Sequence, residues 1–240
     1  MENKNPFEKE LESYFEKENI DADQFKHFFK ESFTKHAQPY FFEYNKLMAY
    51  YRCAIMEIET KLNVLNEEFS LQFDRNPING IKSRLKSLNS IKEKTERLNV
   101  PFSLDSIEEN LNDIAGVRVI CSFPDDVYMI ANALLQQDDI TLVRQKDYIK
   151  NPKPNGYRSL HLIVTVPIYL AKEKRIMKVE IQLRTIAMDF WASLEHQLRY
   201  KKDFEFTEKM KKDLLDCANL SAELDGKMDE LRSLALSLDE

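Results

Sequence analysis

The chain has 240 residues, 43% hydrophobic and 32% charged, with 35 basic against 41 acidic side chains and a formal net charge of −6. That is enough apolar material for one or two globular domains with a sizeable core, and too acidic a balance for a general nucleic-acid coat. No apolar run reaches the roughly 18–20 residues of a membrane span, so no membrane is expected.

The opening MENKNPFEKELESYF is charged from its second residue and lacks the form of a secretory signal. Three scattered cysteines, Cys53, Cys121 and Cys217, suit a reducing cytoplasm rather than a disulfide scaffold or a CxxC zinc site. They are expected to be small core residues.

Residues 1–75 read as helical: they hold no glycine, and Pro6 and Pro39 lie near plausible helix starts. From Phe41 through Tyr44, Met48, Tyr51, Ile55, Ile58, Leu62 and Leu65 to Phe69, apolar residues recur at alternating spacings of three and four. That predicts one long helix with a narrow apolar seam. Between about 78 and 200, strand and helix signals alternate. Short strands are predicted at Ile81–Lys86, Val117–Phe123, Ile140–Lys146, Leu160–Pro167 and Arg175–Leu183, the last two as a hairpin. Helices are predicted at Ser87–Leu98, after Pro124, and at Ile186–Tyr200, which carries the single tryptophan, Trp191. A second seam (Met210, Leu214, Cys217, Ser221, Leu224, Met228, Leu231, Ala235, Leu238) marks a C-terminal helix. Each seam packs on the central domain or mediates self-association, and the two readings stand level. The expected class is α/β (α+β), a small mixed sheet flanked by helices, with helical regions at 1–75 and 203–240 around a domain at 76–202.

The four glycines, Gly80, Gly116, Gly156 and Gly226, are too far apart for GxGxxG or GxxxxGK. The usual dinucleotide and P-loop sites are thereby excluded, and any phosphate must be held by side-chain cations. No histidine opens an HExxH. Two basic islands stand out, 82–97 and 144–161, and suggest a local site for a compact polyanion.

Three segments carry chemistry. Asp113 precedes a buried strand that begins Gly116-Val117-Arg118; an acid at a sheet edge can hold Mg²⁺ beside phosphates, and the same residues also make an ordinary turn. In VEIQLR, Glu180, Gln182 and Arg184 share one strand face, where a held carboxylate can take a proton; a cross-strand ion pair is the plain alternative. The loop from Lys146 to His161 is stiffened by Pro152 and Pro154 and offers Lys153, Arg158, Tyr148 and Tyr157 as phosphate donors and a stacking surface. Cations, two carboxylates and aromatic rings make the inventory for phosphoryl or pyrophosphoryl transfer between nucleotides.

With Arg84-x-Lys86, Lys94 and Arg97, then DIAGVRV, RQKDYIKNPKPNGYRSLH and VEIQLRTIAMDFWASLEH, the chain resembles the small alarmone synthetases. These are the stand-alone RelA/SpoT-type (p)ppGpp synthetases, and the resemblance spans about 75–202. It implies a nucleotidyltransferase-like synthetase domain that moves the β,γ-pyrophosphate of ATP to the 3′-hydroxyl of GTP or GDP and releases AMP. By the same resemblance Arg84 and Arg118 sandwich the adenine, while Lys86, Lys94 and Arg97 hold the ATP phosphates. Asp113 holds Mg²⁺, and Glu180 is the general base and a further metal contact. Tyr157 stacks on the guanine, Lys146, Lys153 and His161 meet the acceptor's phosphates, and Gln182 orients it. The resemblance further implies a homo-oligomer, a tetramer through the terminal helices, with bound alarmone or RNA as candidate regulators. No hydrolase domain fits, so synthesis without hydrolysis is expected. Many members carry Asn where this chain has Asp189, and Asp189 is left outside the expected site. Two alternatives remain: transfer to another acceptor (a tRNA 3′ end or an adenine nucleotide), and a nucleotide- or RNA-binding oligomer without turnover.

Overall fold

The structure, a computed structural model, describes residues 37–73, 75–200 and 206–238. The expected helical stretch 1–36, with Pro6, lies outside the described residues, as does the Phe41 side chain. The described chain contains six helices and five strands. It divides into two compact units, one holding 37–50 and Lys86–Leu111, the other Tyr51–Leu85 and the residues from Asn112 onward.

The first unit is helical. It takes the start of α1 (Ala37–Phe73), α2 (Leu88–Leu98) and α3 (Leu104–Asn110). Ser87 caps α2 by accepting from the Ser90 N–H, and Asn99 ends it in the left-handed conformation at φ 54°. Leu88, Ile91 and Thr95 form its buried stripe. Helix α3 is absent from the expectation above, although Ser103 is an N-cap of the usual type and accepts from Ser106 N–H.

The second unit is built on a five-stranded sheet of order β1-β2-β5-β4-β3. Its strands are β1 (Ile78–Leu85), β2 (Ala115–Cys121), β3 (Thr141–Asp147), β4 (Leu160–Tyr169) and β5 (Lys174–Thr185). Only β2 and β5 run parallel; the other pairs are antiparallel, so the sheet is mixed as expected. Predicted strand ends differ from the observed ones by up to three residues, because pairing continues into flanking positions that lack β-branched residues, such as Ala115 and Lys174. The apolar positions Val117, Val119, Val179, Ile181, Leu183, Leu160, Leu162 and Val164 are all at most 1% exposed. They form one face of the sheet, which is the core side.

Around the sheet lie α4 (Pro124–Leu135), α5 (Ile186–Tyr200), α6 (Glu208–Leu236) and the rest of α1. The α1 seam is buried: Tyr51, Ile58 and Leu62 are at most 1% exposed. Asn66 of α1 accepts from the Ile78 N–H at 3.0 Å, which ties the helix to the start of β1, and Lys61 binds Asp139 before β3 at 2.7–2.8 Å. Pro124 opens α4 as predicted, and Asp126 accepts from the Phe123 N–H at 3.2 Å.

Helix α6 lies along α5. Trp191 Nε1 donates to the Leu214 carbonyl at 2.9 Å, Ser221 Oγ to the Ala187 carbonyl at 2.9 Å, and Thr185 to Asp225. The side it buries runs through Ala218, Ser221 and Asp225, with small and polar residues. The later part of the predicted seam is rotated out: Leu224, Met228 and Leu231 are 49–58% exposed. Of the three cysteines only Cys121 is buried, and burial pushes its thiol pKa up; Cys217 is exposed.

Candidate active site

The sheet register gathers the predicted residues on the face opposite the core. One row crosses all five strands: Lys82 pairs with Arg118, Arg118 with Gln182, Gln182 with His161 and His161 with Lys146. The neighbouring row holds Arg84, Gly116, Glu180, Ile163 and Arg144. Gly116 leaves space over its backbone, and the Arg84 side chain occupies it, 3.6 Å from where a Cβ would stand. Lys82, Arg84, Asp113, Gly116, Arg118, Glu180 and Gln182 line one cavity of about 120 Å³.

Glu180 stands on the central strand of this cavity. Gln182 Nε2 donates to its Oε2 at 2.9 Å, and His161 Nδ1 lies 3.5 Å from its Oε1. Burial works against its ionisation, but the hydrogen bonds from His161 and Gln182 outweigh that cost and hold the carboxyl below its ordinary value. The charge of Asp113 pushes the other way, so the two carboxylates feel each other across the cavity.

A second net begins at Arg184, which is 4% exposed. Its Nη2 donates to the Tyr157 hydroxyl at 2.6 Å and to Gln182 Oε1 at 2.9 Å. The Tyr157 hydroxyl lies 2.7 Å from His161 Nε2. Since Arg184 can only donate, the tyrosine hydrogen is left for Nε2, which puts the imidazole hydrogen on Nδ1, facing Glu180. The Tyr157 ring meets Tyr148 and His161 edge-on, with Lys153 Nζ 4.7 Å and the Arg184 guanidinium 5.1 Å from its centroid. Lys153 is solvent-exposed and can swing away to admit a base; Arg184 is locked in the net.

The loop that presents Tyr157 turns at Gly156, whose φ of +89° disfavours any side chain. It rests on α6: a Cβ at Gly156 would collide with Ala218 Cβ and come within 3.1 Å of Leu215. Arg158 Nη1 donates to the Ala218 carbonyl at 3.3 Å.

The expected residues Arg84, Asp113, Arg118, Glu180 and Gln182 thus share one cavity, with His161 behind Glu180 and Tyr157 behind His161. Lys146 stands exposed at the end of the row on edge strand β3, and Lys153 lies over the rings. Lys86, Lys94 and Arg97 belong to the first unit, Lys86 just after β1 and the other two on α2. Lys82 was not among the expected site residues, although its spacing of two from Arg84 put it on the same strand face. Arg184 was placed on the polar strand face but given no role, and Asp189 was left outside the site; no local pattern reports that the first turn of α5 folds back to Arg118.

A sheet face that unites cations, paired carboxylates and a ring cluster has the groups needed to hold a phosphate-bearing nucleotide. Residues 83–205 match the region found in RelA / SpoT proteins. The chain is 44% identical to the GTP pyrophosphokinase YwaC of Bacillus subtilis over 77% of this chain and 87% of that protein. The crystal structure of small alarmone synthetase 2 from Bacillus subtilis matches with a TM-score of 0.73 and 41% identity, covering 80% of this chain and 98% of that one. That of small alarmone synthetase 1, bound to its product pppGpp, matches with a TM-score of 0.73 and 37% identity over 80% and 97%. The chain belongs to the RelA/SpoT family.

Proposed function

We propose that this protein is a (p)ppGpp synthetase that transfers the β,γ-pyrophosphate of ATP to the 3′-hydroxyl of GTP or GDP. The observation that carries the reading is Glu180, a carboxylate kept ionised by His161 and Gln182 in a cavity shared with Asp113 and the cations Lys82, Arg84 and Arg118. The relatives named GTP pyrophosphokinase support it.

In the reaction the 3′-oxygen forms a bond to the β-phosphorus, the bond from that phosphorus to the α-phosphate oxygen breaks, and AMP leaves. Glu180 takes the hydroxyl proton. A free ribose hydroxyl is a poor nucleophile at pH 7, and a positioned base contributes about 10² to 10⁴ in rate. Gln182 orients that base, and alignment with electrostatic stabilisation by the cations supplies the rest. Arg84 and Arg118 offer planar guanidinium faces to the adenine, which lysines could not. Tyr157 takes the guanine once Lys153 moves off its ring, and Lys153 and Lys146 then meet the acceptor's phosphates; His161, whose ring nitrogens face Tyr157 and Glu180, enters as a phosphate contact on the resemblance in sequence alone. Lys86, Lys94 and Arg97 enter as donors to the ATP phosphates on the resemblance in sequence.

Among the described residues no group of three or more His, Cys, Asp or Glu side chains is arranged for a metal. Mg²⁺ does not need one, because it binds through one or two carboxylates plus substrate phosphates. Asp113 and Glu180, facing one cavity and coupled in charge, fit that requirement. Asp113 and Glu180 would hold Mg²⁺, which would supply positive charge against the phosphates.

No helix among the described residues is long and apolar enough to cross a membrane. The proposal places the enzyme in the cytoplasm, as a homo-oligomer joined through its terminal helices.

The test is turnover of γ-labelled ATP with Mg²⁺ and either GTP or GDP. Labelled pppGpp or ppGpp with matching AMP is expected, and Glu180→Gln should lower kcat by about 10²-fold or more while nucleotide affinities hold. ATP that survives both guanine nucleotides, or a Glu180→Gln variant with full kcat, would overturn the reading.

A further inference from the structure

We propose that Asp189 is a positioning residue that couples the donor and acceptor sites, its carboxylate tying Arg118 on the cavity side to Arg184 on the Tyr157 side. The inference rests on the synthetase reading given above.

Asp189 lies in the first turn of α5 and is 6% exposed. Its Oδ1 stands 3.2 Å from Arg118 Nη1 and 3.2 Å from Arg184 Nη1, and its Oδ2 lies 3.5 Å from Lys82 Nζ. The mechanism uses neither this carboxylate nor Arg184. Burying the charges of Asp189 and Arg184 costs stability that an apolar core of the same volume would not. A buried ion cluster beside a reaction site is therefore more useful to the site than to the fold.

The geometry says how. One oxygen serves both guanidiniums, so a shift of either changes the hold on the other. Arg118 lines the cavity, so a nucleotide held there meets its guanidinium. Arg184 in turn holds the Tyr157 hydroxyl and Gln182, the two groups that stand beside His161 and Glu180. Without the carboxylate, two cations would face each other. Burial and then the charge of Arg184 loosen the proton of Arg118, and Asp189 opposes them in part. A nucleotide that fixes Arg118 thereby fixes the ring and the neighbour of the base.

The measurement is calorimetric. GTP affinity is determined alone and with a saturating non-hydrolysable ATP analogue, then the converse, since coupling between two ligands is reciprocal. The wild type should bind the second nucleotide about 5-fold or more tighter once the first is present. Asp189→Asn keeps shape and one acceptor but removes the charge, so its coupling factor should fall toward one while the thermal midpoint stays within a few degrees. A role confined to the fold would lower the midpoint and leave the coupling factor unchanged. If Asp189→Asn loses its cooperative thermal transition, Arg184→Lys, which keeps the charge but not the fork, takes its place with the same expectation. A wild-type coupling factor of one with both nucleotides bound, or a variant that retains the wild-type factor, overturns this inference and leaves the synthetase reading standing. A wild type that binds neither nucleotide overturns both.

Discussion

Under the proposed reaction Glu180 takes a proton from a ribose hydroxyl, which requires an ionised carboxylate in a crowded place, and its partners His161 and Gln182 favour that state. With its pKa held below the ordinary 4.5, the ionised group contributes stability above that value, and the contribution is lost as pH falls through the depressed one. Replacing His161 by alanine removes a hydrogen bond that favours the carboxylate while part of the burial cost remains. The Glu180 pKa should then rise, so the acid limb of kcat/KM moves to higher pH than in the wild type. A pH–rate profile with an unmoved acid limb would count against His161 as the partner. The face shared by Glu180, Gln182 and Arg184 was legible in sequence because a strand repeats every two residues. The contact of His161 with Glu180 was not, because it depends on β4 lying next to β5.

At the scale of elements, the loop that carries Tyr157 and the last helix are one assembly. Gly156 combines a positive φ with a backbone pressed on Ala218, so Gly156→Ala should cost about 1–3 kcal/mol from conformation alone and add the collision. A lower thermal midpoint and altered Trp191 fluorescence are expected, since Trp191 bonds to Leu214 on the same helix. Wild-type values for both would show that the loop yields freely. Helices with long apolar periods, α1 and α5, were found from spacing alone. Helix α3 was not, because seven residues carry two turns and little period. The seam of α6 was read correctly as apolar but is buried only in part, since Ala218, Ser221 and Asp225 allow closer packing on α5 than leucines would.

For the whole molecule, the outward stripe of Leu224, Met228 and Leu231 is where a second copy should pack under the proposed oligomer. The double substitution Leu224→Glu, Leu231→Glu places two charges on that stripe. It should shift sedimentation toward the monomer without changing the fold, as judged by circular dichroism. Unchanged sedimentation would assign the interface elsewhere. The presence of a small mixed sheet was legible in the alternation of strand and helix signals, but its order was not. Nothing local to Lys174–Thr185 says that this strand enters between β2 and β4 rather than at an edge.

That order bears on how the protein is made. During synthesis β1 can pair with β2, and β3 with β4, as each leaves the ribosome, but the two pairs have no common centre until β5 emerges. The strand translated last among the five goes into the middle and brings Glu180 with it. A nascent chain therefore carries Lys82, Arg84 and Arg118 before Glu180, and the cavity they share waits for the sheet to close.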